Sequence, residues 1–356
     1  MNFFSNHFKK TLVMSSIAIA FFSCEDSNDA APSTPVNYDF ENVDYSGQTA
    51  RIMMLDSLEG YIKSGNDGVT KLSAATMNAI YTNESGDLFG SSKDLESKTA
   101  NDDNLLANVY TLLPDYFAGA EAYSGSEDNV IDGRLYMPNG HEPAQIVGKG
   151  LMGATLYYQS VSNYLTDEKL DGADNETVVE GEGTDMEHFW DEGFGYFGAA
   201  TDYTTNDDAT NYYWASYAKK RASVYDVSAD IFNAFIAGRV AISAKDYDER
   251  NAQRDIILEK WEELVAINVV HYCNSVLSDT EVGDIYHHHS EALAFAVGLQ
   301  YNSSKKISDE GLTNLLIALN VSTVTSSKEE IDTAMEAAKA VIKEAYGFDD
   351  DVMSNL

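Results

Sequence analysis

Positive charge is what this chain has least of. Its 356 residues set 23 Lys and Arg against 58 Asp and Glu, for a formal net charge of −35 at pH 7. A surface of that sign repels phosphate backbones and anionic headgroups, which excludes nucleic acid as a partner and leaves cations and cationic proteins. Cysteine is nearly absent, with only Cys24 and Cys273. Proline is scarce too: all five prolines lie at or before Pro143, so the following chain lacks the residue that most often interrupts a helix.

The N-terminus carries a signal. Lys9 and Lys10 precede an apolar run over 11–22, which leads to Ser23 and Cys24. A basic start, a short apolar stretch and a small residue before cysteine is the order of a bacterial lipoprotein signal peptide, although Phe21 stands where Leu is usual. The run is too short for a spanning helix. Cys24 is expected to become the acylated first residue, and Cys273 then has no partner for an intrachain disulfide. The acidic Glu25-Asp26-Ser27-Asn28-Asp29 resembles a surface-export signal; a merely polar tether is the alternative. The expectation is an outer-membrane lipoprotein at the cell surface or on the periplasmic face.

Three regions follow: the leader over 1–23, an acidic flexible tether over 24–45, and one helical domain over 46–356. Apolar residues recur with helical period over 47–65, 72–83, 103–122, 147–165, 184–201, 225–245, 248–278, 284–302, 308–320 and 327–346. Ser327 and Glu330 form a capping box before the last of these. No alternating stretch is long enough to demand a sheet. The expected fold is an all-α bundle with long loops at 86–102, 123–146, 166–183 and 202–222. Cys273 falls among Val269, Val270 and Val276 and is expected in the core, and its neighbour His271 is expected to be a satisfied helix residue.

One pattern occurs twice: Asp185-x-x-His188-x-x-x-Glu192 and Asp284-x-x-His287-x-x-x-Glu291. Positions −3, 0 and +4 share a helix face, so each copy presents carboxylate, imidazole and carboxylate in one stripe. Small residues alternate with large ones behind each acid, Gly193 and Gly195 in the first copy and Ala292 and Ala294 in the second. Small residues let helix backbones approach, so the two helices are expected to cross about a pseudo-twofold and bring His188, Glu192, His287 and Glu291 together, with Asp185 and Asp284 nearby. Facing helices build metal sites in this way, and a mixed N/O set suits iron or zinc. A second reading stays open, a buried network in which the stripe acids neutralise Arg239, which lies among apolar residues. In His287-His288-His289 successive side chains diverge by about 100°, so all three cannot join one site.

The 202–222 loop holds Tyr203, Tyr212, Tyr213, Trp214 and Tyr217 beside Lys219, Lys220 and Arg221. Tyr212, Tyr213 and Trp214 are candidate ligand-docking aromatics; a loop packed over the bundle is the alternative. Neither His-Glu-x-x-His nor a nucleophile elbow is found, and a non-catalytic protein is expected.

The segment His188-Phe-Trp-Asp-Glu-Gly-Phe-Gly-Tyr-Phe-Gly198, with Lys149-Gly-Leu-Met-Gly153 before it and Ser290-Glu-Ala-Leu-Ala-Phe295 after it, resembles a family of Bacteroidota lipoproteins, domain-of-unknown-function family 4856. The resemblance extends from about Tyr38 onward. It implies an envelope role in iron, other metal or haem acquisition beside imelysin-like lipoproteins and TonB-dependent receptors. Where imelysin-like proteins carry Gly-x-His-x-x-Glu, this chain has Met186 and Asp191 around His188. The alternative expectation is a SusD-like nutrient-capture lipoprotein that partners an outer-membrane receptor, with both stripes structural.

Overall fold

The computed structural model describes residues 34–356. The expected leader and Cys24 lie outside the described residues. Thirteen α-helices, several short 3-10 and π-helical segments and one two-stranded hairpin make up the regular structure among the described residues, in agreement with the all-α expectation. In chain order the helices are α1 (Ser46–Lys63), α2 (Ala74–Tyr81), α3 (Val109–Tyr123), α4 (Pro143–Leu151), α5 (Asp167–Asp171), α6 (Asp185–Phe197) and α7 (Tyr213–Arg221). They continue with α8 (Ser228–Ala244), α9 (Tyr247–Ser278), α10 (Val282–Gly298), α11 (Asp309–Leu319), α12 (Lys328–Tyr346) and α13 (Asp350–Asn355). The hairpin pairs β1 (Val130–Ile131) with β2 (Arg134–Leu135) antiparallel. No helix of the described residues is long and apolar enough to cross a membrane.

Local chemistry fixes the helix ends. Ser327 and Glu330 make the expected reciprocal capping box at the start of α12, and Thr184 with Glu187 makes a second one at α6. Each satisfies two backbone donors that a helix terminus leaves without partners. Pro143 opens α4, where its missing N–H costs no hydrogen bond. After α4 the backbone continues as π-helix over Met152–Tyr157 and Ser160–Tyr164. A Cβ at Gly153 would stand 2.9 Å from Gly298 Cα, so this wound segment and the end of α10 meet backbone to backbone.

The 32-residue α9 is the axis of the bundle, with α8, α10 and α12 packed along it. All three tryptophans are fully buried, Trp261 within α9, Trp214 against it and Trp190 against α8. Trp214 and Phe197 meet Trp261 edge-on, at centroid distances of 6.2 and 5.0 Å. Trp190 donates its indole N–H to Phe235 O and Trp214 donates to Met152 O, both at 2.9 Å. These bonds satisfy the polar edge of each buried ring. Cys273 lies buried in α9 as expected, and burial pushes its thiol up to about 12.

Three expectations about packing need correction. The tether is held from Tyr38 on: that ring stacks on Phe194 at 3.7 Å, and its N–H donates to Thr201 O at 2.7 Å. The glycines of α6 do not serve a crossing with α10. A Cβ on Gly193 would meet Leu165, and one on Gly195 would meet Tyr45 and Gln48. Accordingly α6 packs on α1, α8 and the π-helical turn, while α10 packs on α4, α9 and α11. The 202–222 stretch, expected as a loop, contains α7, which is amphipathic through Trp214, Tyr217 and Ala218.

Candidate functional site

The two acid–His–acid stripes have separate surroundings. In α6, His188 Nε2 stands 3.8 Å from Glu192 Oε2, and Glu192 Oε1 accepts from Gln48 Nε2 at 2.7 Å. Asp185 is exposed in the first turn. In α10, Asp284 pairs outward with Arg134 at 2.9 Å. The expected joint site of His188, Glu192, His287 and Glu291 is therefore not assembled. The repeat sets which face each residue occupies on its own helix, but different neighbours cover those faces.

Arg239 also finds other acids than the stripe carboxylates. Its Nε donates to Asp191 Oδ1 at 3.1 Å, and its Nη1 pairs with Glu187. Asp191 and Glu187 are one turn apart on a different side of α6. The Tyr38 hydroxyl donates to Asp191 Oδ1 at 2.5 Å. Burial pushes the Asp191 carboxyl up to about 6, against the opposing pull of Arg239 and Tyr38.

The second stripe builds a different constellation. Glu142, the residue before α4, is almost fully buried, and its Oε2 lies 2.6 Å from His287 Nδ1. Asp279, between α9 and α10, places Oδ2 2.7 Å from His288 Nδ1. Both imidazoles thus have Nδ1 engaged by a carboxylate, which orients the rings and leaves Nε2 for a ligand. His287 Nε2 stands 3.3 Å from Glu291 Oε2. His287, His288 and Glu291 each offer a ligand atom within 4.8 Å of the others. Two ligands at about 2.1 Å from one tetrahedral ion are ~3.4 Å apart, close to the His287–Glu291 spacing. His289 takes no part. It is buried, its Nε2 lies 3.0 Å from Leu319 O, and burial with a nearby His141 lowers it to about 4. Two of the three consecutive histidines therefore lie together and the third does not, in line with the expectation that all three cannot join one site.

These side chains face a cleft of about 600 Å³ lined by residues of α1, α4, α7, α9 and α10. Lys149 lies at its floor, 3.4 Å from Glu59 and 3.8 Å from Glu291. Burial alone would depress the Lys149 ammonium, but the two carboxylates outweigh it and hold the group above its ordinary value. Lys63 pairs with Glu59 at 2.5 Å. His271 also faces the cleft but is outside the group with metal-ligand spacing. Burial and the Arg221 charge lower it to about 4. Of the three aromatic candidates, Tyr212 and Tyr213 line this cleft, whereas Trp214 is in the core and cannot dock a ligand. Glu142, Asp279 and Lys149 are the residues of this candidate site that sequence spacing did not indicate.

A profile described as "Domain of unknown function (DUF4856)" matches residues 115–348, and the chain belongs to this family. The match contains α4, α7, α9 and α10, and thus most of the cleft. Neither a curated protein nor a solved structure matches the chain.

Proposed function

We propose that this protein is a non-catalytic lipoprotein of the cell envelope, anchored through Cys24 to the outer membrane, that captures a transition-metal ion in the α10 cleft. The observation that carries this reading is the pair of carboxylate-held imidazoles, Glu142–His287 and Asp279–His288, beside Glu291. A carboxylate behind each histidine is the arrangement that fixes the tautomer and strengthens a metal-binding nitrogen. Two nitrogens and one oxygen, with open cleft for water or a chelator, suit zinc or ferrous iron. The charged walls favour an ion or its complex over haem, whose porphyrin requires apolar contact. The ion would then pass to an outer-membrane receptor of the TonB-dependent kind or to an imelysin-like lipoprotein.

Calorimetric titration with zinc and ferrous ions tests the binding. The intact protein is expected to bind, the His287→Ala/His288→Ala variant to lose binding, and His188→Ala to keep it. Equal binding by all three proteins rules out the α10 site. For the anchor, Cys24→Ala is expected to move the protein from the membrane fraction to the soluble one.

A second reading has one observation in its favour: Tyr212 and Tyr213 line the same cleft. In that reading the protein captures a nutrient for its receptor in the SusD manner, and the histidines are structural. The titration separates the two, because only the metal reading requires binding by His287 and His288.

A further inference from the structure

Three buried arginines of this acidic chain have carboxylate partners. Arg239 pairs with Glu187 and Asp191, Arg250 with Asp171, and Arg254 with Asp167 and Asp255. Arg51 donates to the backbone carbonyl of Asp94 at 2.7 Å. Arg221 differs. It is 8 % exposed, lines the cleft, and makes no ion pair among the described residues. Its Nε–H donates to the neutral Asn268 Oδ1 at 2.9 Å, and Asn268 is held in turn by Leu264 O at 2.8 Å. The guanidinium lies 5.6 Å from the Tyr272 ring centroid and 6.0 Å from that of Tyr217.

Lys220 is next to Arg221 and also lines the cleft without an ion pair among the described residues, its Nζ 4.9 Å from the Tyr217 ring centroid. Burial lowers Lys220, and the Lys149 and Arg221 charges lower it further, so the three cations repel one another across this wall. The acids nearby relieve them only in part: Glu291 and Glu59 favour the Lys220 charge and Glu291 that of Arg221, but Glu59 is shared with Lys63 and Lys149, and Glu291 with Lys149 and His287. Lys220 is exposed, but Arg221 is buried, and a buried charge without a close counter-charge is costly; an arriving anion lowers that cost.

We propose that Arg221 and Lys220 form an anion subsite on the α7 wall of the cleft, so that its ligand carries a carboxylate or phosphate group. The planar guanidinium, oriented by Asn268 and the two tyrosine rings, suits two-point binding of such an oxyanion. This subsite uses other residues than the metal triad and stands whether or not that reading holds. If both hold, the natural cargo is a metal bound to an anionic chelator, with the ion on α10 and the chelator's free acid group on α7.

The test is calorimetric titration of the full chain with citrate and, separately, with inorganic phosphate, in metal-free buffer. The intact protein is expected to bind at least one, and the stronger of the two identifies the group. Arg221→Gln and Lys220→Gln should each weaken binding at least tenfold, while His287→Ala/His288→Ala should change it less than threefold. Arg221→Lys controls for folding and is expected to restore part of the affinity. Absence of binding to either anion at millimolar concentration overturns the subsite. So does unchanged affinity in both Arg221→Gln and Lys220→Gln. Loss of zinc binding in the histidine variant with anion binding intact separates the two readings.

Discussion

Glu142 and His287 are 145 residues apart in sequence, and their side chains meet at 2.6 Å, carboxylate oxygen against Nδ1. The contact exists because α4 starts beside the middle of α10, where the Glu142 N–H donates to Ser290 Oγ at 3.0 Å. It has a consequence for binding. Glu142 touches no metal itself, but it holds His287 with Nε2 directed toward Glu291. Replacing Glu142 with Gln is expected to weaken zinc binding by about 10–100-fold and leave the stoichiometry at one. Competition titration with a chromogenic chelator measures this, and unchanged affinity would mean that Glu142 serves α4 alone.

Packing between α6 and α8 gives a prediction independent of any ligand. A Cβ at Gly238 would come within 2.1 Å of Trp190 Cζ2, whereas at Gly60 of α1 it would meet nothing within 4 Å. Gly238→Ala is expected to destabilise the fold by about 1–3 kcal/mol through overpacking. Gly60→Ala is expected to stabilise it by about 0.4–1 kcal/mol by restricting the unfolded chain. Urea unfolding followed by tryptophan fluorescence resolves both signs.

Asp191 gives a pH dependence. Its value of about 6 in the fold is above the ordinary 3.8. Between these values the folded protein holds a proton that the unfolded chain has released. The contribution of this group to stability is therefore full below about pH 3.8 and is lost as pH rises through about 6. The integrated effect is on the order of 3 kcal/mol. Asp191→Asn should remove that decline, so the stability difference between variant and wild type changes across this interval and levels off above it. Urea midpoints at half-unit pH steps measure the difference, and parallel curves would contradict it.

Helices were legible where period and caps agreed. The run beginning at Ser327 has its box and its apolar face in register, and α12 follows it over Lys328–Tyr346. The α7 helix was not legible. Its N-terminal flank has no side-chain cap, Tyr213 enters at a φ of 40°, and its aromatic density gives the composition of a docking loop. Those rings are apolar because most are in the core, and composition alone does not distinguish the two. At the site, the spacing of His287 and Glu291 was readable, because four residues along a helix is a local relation. Their orienting partner Glu142 and the floor residue Lys149 come from α4 and its flank, and only tertiary packing brings them there. The same spacing at His188 led to no shared site, since nothing in a local pattern says which helix will cover it.

Zinc-edge anomalous diffraction from crystals of the protein grown with zinc tests the central claim most directly. The predicted result is one strong peak about 2.0–2.2 Å from His287 Nε2, His288 Nε2 and a Glu291 oxygen. A peak beside His188 and Glu192, or none in the α10 cleft at full zinc saturation, would contradict it.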